Sequence, residues 1–315
     1  MIAVKLVGRI GNQLFIYAAA EAIRQKRGRN EKIVFYDESI LREGWKNSLE
    51  NYDLKNVEFR HDYSRLEFGT KLQMAFVLRF YRWFKLTREN RVRRFKFEKF
   101  FQPILNFFGI ISCIDGYTKI ITPLTKNVYM DGYFQSERYF QGYENLLKKT
   151  FSHIGPVLKN KDNVKQLIQR ESVCISIKVE HNVGHPSFDV CDKSYYTRAI
   201  DYITKHIENP LFFICSDNVP YVLEHFIDTA KYDYLCQDKE LDVSDSLAIM
   251  GTCKNFIIGN TSFGWWAQYL SDNENKIVVA PDHWYRDPRI ACDIYQDNWH
   301  YIDVSEYISH SSLKD

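Results

Sequence analysis

The chain has 315 residues, 45% hydrophobic and 16% aromatic, which is enough for two domains with real cores and too apolar for a disordered chain. A formal charge of +2 excludes a general nucleic-acid binder, whose domains carry a strong basic excess. Seven cysteines, scattered singly with no CxxC, point to reduced, mostly buried thiols and away from a disulfide frame or a zinc site.

The first predicted strand is the apolar, β-branched run Ile2, Val4, Leu6 and Val7. Beyond it Leu14, Ala18, Ala22 and the basic stretch 25–27 follow helical spacing. Between strand and helix stands GRIGNQ, residues 8–13, where Gly8 and Gly11 permit a tight turn and close approach of another molecule. A helix N-terminus carries N–H groups and partial positive charge, so Gly11, Asn12 and Gln13 are candidates to receive a phosphate or sugar hydroxyl. A plain strand-to-helix turn is the alternative. The spacing is neither a dinucleotide fingerprint nor a Walker loop. Because the chain opens on a strand, with no signal peptide and no apolar run of membrane-span length, the expected location is the cytoplasm, or peripheral on the inner face of the cell membrane.

Residues 32–36 and 127–132 read as further strands. Between them lies a basic helical insertion, at about 65–110. Ten basic residues from Lys71 to Lys99 interleave with Phe76, Phe80, Trp83, Phe84, Phe95 and Phe97, against only Glu89 and Glu98. Such a segment can lie on an anionic membrane surface, or pack its aromatics inward beneath a solvated basic face. Both readings stay open.

The second half alternates regularly. Residues 172–179, 211–215, 255–258 and 276–280 read as strands, and 194–206, 221–228, 244–252 and 262–270 as helices. This rhythm predicts a parallel sheet with helices on both faces and ligands beyond the C-terminal strand ends. The simplest architecture is two Rossmann-like α/β units, 1–155 and 156–315, flanking a cleft.

Three more junctions fall at strand ends. SIKVEHNVGHPSFD, 176–189, contains Ser176, Lys178, Glu180 and His181; CSDN contains Ser216 and Asp217; GNTSFGWW contains Asn260, Thr261, Ser262 and Phe263. Thr261 and Ser262 sit at a helix start where hydroxyls and N–H groups can hold a diphosphate, or simply cap the helix. Asp245 opens a helix, where an acid usually complements the dipole. A carboxylate there can also accept paired hydrogen bonds from guanine N1–H and its amino group.

GRIGNQLFIYA resembles the opening motif of the α-1,2-fucosyltransferases, glycosyltransferase family 11. DGYFQSERYF (131–140), CDKSYYTRAI (191–200), FFICSDN (212–218) and the run DSLAIMGTCKNFIIGNTSFGWWAQYL through KIVVAPDHWY resemble that family's blocks in the same order. The resemblance implies a GT-B-type enzyme with an acceptor-side N-terminal domain and a nucleotide-sugar-binding C-terminal domain. It implies transfer of fucose from GDP-fucose to a sugar hydroxyl of a surface glycan or lipid-linked oligosaccharide, with inversion and without a metal. No Asp-x-Asp occurs, in keeping with that expectation.

One element departs from the family. Its His-x-Arg-Arg-Gly-Asp-Tyr sequence aligns here with residues 176–182, so Ser176 and Lys178 stand where the family places a His by the guanine and an Arg on the leaving diphosphate. Lys178 keeps the charge but loses the bidentate fork. His181 replaces the motif acid, and a neutral imidazole is a competent base. Glu180, His185 and Asp189 are its rivals in the same loop. The resemblance places Lys178, Thr261 and Ser262 on the diphosphate and Asp245 on the nucleobase, with Ser216, Asp217, Asn260 and Phe263 on the donor side and Asn12 and Gln13 reaching from the N-terminal domain. Two alternatives are a different nucleotide-sugar donor and a sugar-nucleotide-binding homologue that has lost catalysis.

Overall fold

The computed structural model describes residues 1–87, 90–152, 154–159, 161–228 and 230–311; Arg88 and Glu89 of the basic segment lie outside these. The chain divides into two compact units, Met1–Thr150 with Arg289–Tyr295, and Phe151–Pro288 with Gln296–Asp315. The strap Arg289–Tyr295, which the sequence reading assigned to the second unit, packs with the first. Asp293 Oδ2 there accepts the Tyr117 N–H at 2.6 Å, and Asp293 Oδ1 pairs with Arg138 at 3.5 Å.

The first unit runs β1 (Ile2–Lys5), α1 (Ile10–Arg27), β2 (Ile33–Tyr36), α2 (Glu38–Arg42), β3 (Val57–Arg60), α3 (Phe68–Trp83), α4 (Arg91–Phe107), β4 (Ile110–Cys113) and β5 (Val128–Gly132). Its strands pair in the order β3-β2-β1-β5-β4, all parallel. The direction of winding reverses between β1 and β5. α1 carries Arg24, Lys26 and Arg27 in its last turn, which complement the helix dipole. It ends at Gly28, whose φ of 62° suits glycine.

α3 and α4 are the helical insertion, and some of its aromatics do face inward. Phe80, Phe97 and Phe101 pack in tilted and edge-to-face pairs with ring centroids 4.5–5.5 Å apart. Beneath them Glu98, fully buried, accepts from Tyr81 Oη at 2.8 Å, Arg94 Nε at 2.9 Å and the Ile114 N–H at 3.0 Å. Burial pushes its carboxyl above the usual range despite the Arg94 guanidinium.

α5 (Glu144–Phe151) leads into the second unit, which contains α6 (Pro156–Lys159), α7 (Asp162–Gln169), β6 (Ser172–Ile177), α8 (Lys193–His206), β7 (Leu211–Ser216), α9 (Val219–His225), β8 (Tyr234–Cys236), α10 (Val243–Met250), β9 (Asn255–Ile258), α11 (Ser262–Leu270), β10 (Val278–Pro281), β11 (His300–Ile302) and α12 (Ser305–Ser311). The order β11-β10-β9-β6-β7-β8 is parallel throughout. From β6 the chain winds outward to β8, then returns to β9 on the other side of β6. The winding therefore reverses between β6 and β9, where doubly wound sheets bind ligands beyond the carboxyl ends. Cys174, Cys215 and Cys253 are buried in this unit, and burial pushes their thiols up. Among the described residues no helix is long and apolar enough to cross a membrane.

Candidate active site

The reversal between β6 and β9 brings the SIKVEHN segment beside the GNTSFG segment. Thr261, extended at φ −129° and ψ 137°, caps α11: its Oγ1 accepts the Gly264 N–H at 3.1 Å. The first turn of α11, Ser262 and Phe263, presents its N–H groups out of the helix start, an electropositive end suited to an anion. Gly264 is required here, since a Cβ would lie 2.9 Å from Ser176 Oγ and 3.2 Å from Thr261 Oγ1.

That proximity relocates Ser176. It is buried, with its hydroxyl tucked against the start of α11 rather than turned outward to meet a base. Lys178, half-buried just beyond β6, pairs with Asp217 just beyond β7. Asp217 Oδ1 also accepts the Val179 N–H at 2.8 Å and Oδ2 the Glu180 N–H at 3.3 Å. Asp217 thus holds the loop that carries Lys178, and its carboxylate is not turned toward a donor. Ser216 Oγ accepts the Asn218 N–H at 3.1 Å, another loop bond.

Burial pushes the Asp217 carboxyl up, but the Lys178 ammonium and the two backbone N–H groups outweigh it and hold it below the usual range. A depressed folded-state value contributes stability that is present above the unfolded pKa of about 3.9 and is lost as pH falls through the folded one. The urea-midpoint gap between wild type and Asp217→Asn is therefore constant near neutrality and narrows below about pH 4. A gap that widens in acid contradicts this origin.

Asn260 is likewise committed internally. Its Nδ2 donates to the carbonyls of Phe188 and Trp284, both at 2.9 Å, and its Oδ1 accepts from Asn182 Nδ2 at 3.0 Å. It brackets the loop rather than facing a ligand. Asp189 accepts from Tyr307 Oη at 3.0 Å and from the Gly184 N–H at 3.0 Å, which sets it apart from the exposed acids and bases of the loop. Glu180 and His181 are exposed. The rings of His181, His185 and Phe188 cluster with centroids 4.7–5.4 Å apart, and His185 Nδ1 accepts the Ser187 N–H. A shallow recess, open to solvent, lies beside Lys178, Asn182 and Phe188.

α10 connects two parallel strands, so it too starts at the carboxyl edge of the sheet, and it packs against α11. Asp242, not Asp245, is its cap: Asp242 Oδ1 accepts the Ser244 N–H at 2.9 Å. Asp245, half-buried in the first turn, makes no hydrogen bond or ion pair among the described residues. Its carboxylate is not consumed by capping.

In the first unit Gly8, at φ +71°, makes the turn after β1, whereas Gly11 is a buried helical residue of α1. Gln13 does not reach outward. It is 0% exposed, its Nε2 donates to the carbonyls of Gly8 and Lys46, both at 2.9 Å, and its Oε1 accepts the Ser48 N–H at 2.8 Å. Only Asn12 of this pair is partly exposed, and its Oδ1 accepts from Gln135 Nε2 at 2.7 Å across the β1/β5 reversal.

Gln135 was not singled out by the sequence reading, although it lies in the DGYFQ block. Its neighbour Phe134, fully buried at φ +52°, holds a backbone conformation costly for a non-glycine residue. Also missed was a cluster of Asp37, Glu50 and His61, whose ligand atoms lie within 4.8 Å of one another. Buried Asp37 is already engaged by His61 Nδ1 at 2.9 Å and Asn47 Nδ2 at 3.0 Å, which accounts for the cluster without an ion.

Residues 1–303 match the family described as glycosyl transferase family 11. Among curated relatives, an O-antigen biosynthesis glycosyltransferase, WbnK, from Escherichia coli is 25% identical, over 89% of this chain and 93% of that protein. An alpha-1,2-colitosyltransferase from Escherichia coli is also 25% identical, over 95% and 98%. A galactoside 2-alpha-L-fucosyltransferase from Caenorhabditis elegans is 28% identical over 58% of this chain and 54% of that protein. The crystal structure of NodZ alpha-1,6-fucosyltransferase co-crystallized with GDP covers 86% of this chain and 92% of its own at 13% identity and a TM-score of 0.50, a likeness of fold.

Proposed function

The chain belongs to glycosyl transferase family 11, and on that premise we propose that it is an inverting α-1,2-fucosyltransferase moving fucose from GDP-fucose to a sugar hydroxyl of a surface glycan or lipid-linked oligosaccharide. The observation that supports this most is the reversal between β6 and β9. It sets the Lys178 ammonium on one side and the Thr261-capped start of α11 on the other, with the unengaged Asp245 carboxylate on the adjoining helix. Phosphate oxygens are met by Lys178 and the first-turn N–H groups of α11, and guanine N1–H and its amino group by Asp245. The acceptor oxygen attacks the anomeric carbon as the bond to the diphosphate breaks; GDP leaves with the electron pair. His181 or Glu180, exposed on the loop after β6, takes the hydroxyl proton. Positive charge for the leaving group comes from Lys178 and the helix start, so this reading needs no metal.

A second reading keeps the chemistry and changes the nucleotide-sugar donor. Ser176 and Lys178 in place of the family's His and Arg favour it, as does the colitosyltransferase relative. Calorimetry and donor hydrolysis across GDP-fucose, GDP-colitose, GDP-mannose and UDP-sugars separate the two. We expect Asp245→Asn to weaken GDP binding by roughly 10- to 100-fold, the loss of charge-assisted hydrogen bonds, with the melting temperature unchanged. No response to any GDP compound refutes the first reading, and no response to any of these nucleotide sugars refutes both.

A further inference from the structure

α3 buries Val77 and Tyr81 in the ordinary way, but α4 departs from the usual amphipathic arrangement. The buried side of α4 holds, beside Leu105, a polar row, Arg94, Glu98, Gln102 and Asn106, each four residues from the next. Its outer side instead carries Phe100 and Phe107, 75% and 77% exposed, with Ile104 between them. On α3, Phe68, Leu72, Phe76 and Trp83 fall on one helical face, and all are exposed, Trp83 to 80%. The two rows join: Phe76 lies 6.2 Å from Phe108, which is 5.3 Å from Phe107. A contiguous apolar surface of this kind on a folded chain marks an interaction site.

The charges around it identify the partner. Arg79 and Arg82 precede Trp83 and Lys85 follows it, and α4 carries Arg93, Lys96 and Lys99, all exposed. Between residues 68 and 107 no exposed carboxylate occurs among the described residues, because Glu98 is buried. A second copy of the chain seated on this face would bring cations against cations. Helices of 16 and 17 residues are too short to span a bilayer, whereas aromatic side chains flanked by Lys and Arg suit its interface.

We propose that the α3–α4 pair is an interfacial anchor, its aromatic rows inserted among the head groups of an anionic lipid bilayer and its cations against their phosphates. The inference rests on the surface of the first unit alone and is independent of which sugar is transferred. Flotation of the full chain with vesicles tests it. Wild type is expected to float with equimolar phosphatidylcholine and phosphatidylglycerol, not with phosphatidylcholine alone, and less so as salt rises. The triple variant Arg79→Glu, Arg82→Glu, Lys85→Glu should lose about 100-fold or more in vesicle affinity, and Trp83→Ser or Phe107→Ser about tenfold each. Donor hydrolysis in solution, retained by the serine variants, shows that they are folded and keeps this test separate from that of the donor. Wild type that fails to float, flotation unchanged by both kinds of variant, or a stable dimer by light scattering that the serine variants dissolve would each overturn the proposal.

Discussion

Replacing Lys178 by Met lowers the rate of sugar transfer by about 100- to 1,000-fold, the range found when one pre-positioned electrostatic contact to a developing charge is removed. The expectation follows from the proposed role. As the bond to the anomeric carbon breaks, negative charge accumulates on the diphosphate, and Lys178 is the cation placed beyond β6 beside the start of α11. Its ammonium pairs with Asp217, whose other contacts hold the Val179 and Glu180 N–H groups. The pairing fixes the side chain in advance, so little ordering is left to the moment of reaction. Lys178→Arg should retain most activity, because the guanidinium fork matches two phosphate oxygens. Single-turnover transfer, with GDP affinity measured in parallel, checks both variants. A Met variant within tenfold of wild type removes Lys178 from the mechanism.

The second large effect concerns stability. Gln13→Met keeps the volume of the side chain but leaves the Gly8 and Lys46 carbonyls and the Ser48 N–H without partners in a fully buried place. At about 1–3 kcal/mol for each group left unsatisfied, the loss is on the order of 4 kcal/mol. For a unit of this size that lowers the melting temperature by roughly 10 °C. Differential scanning calorimetry reads it directly, and a shift under 2 °C would show that water or a rearranged loop satisfies those groups.

These two residues show what sequence patterns reveal and what they hide. β6, β7, β9 and β10 were legible because strands buried on both faces are continuous apolar runs. β3 was not, since this edge strand is only half-buried and contains Glu58 and Arg60. β8, at three residues, is too short to show a period. At the turn after β1, Gly8 was legible because a left-handed backbone needs glycine. The role of Gln13 was not, since its partners stand at Lys46 and Ser48, distant in the chain. The two acids of DVSD posed the same problem, and it is the extended backbone of Asp242 that makes it the cap and leaves Asp245 available. The α3–α4 segment was readable as amphipathic, but its polarity was not. A buried row of Arg94, Glu98, Gln102 and Asn106 looks in sequence like a solvated face.

The strap Arg289–Tyr295 has a consequence for how such proteins can be recombined. Because the first unit is completed by a segment that follows most of the second, no single crossover can exchange one unit between two family members intact. A chimera joined only near residue 150 would set a foreign strap against the Tyr117 N–H and Arg138, which here meet Asp293. Exchange of specificity by shuffling therefore needs three junctions, near 150, 288 and 295, and the strap must travel with the half of the protein that it follows least in sequence.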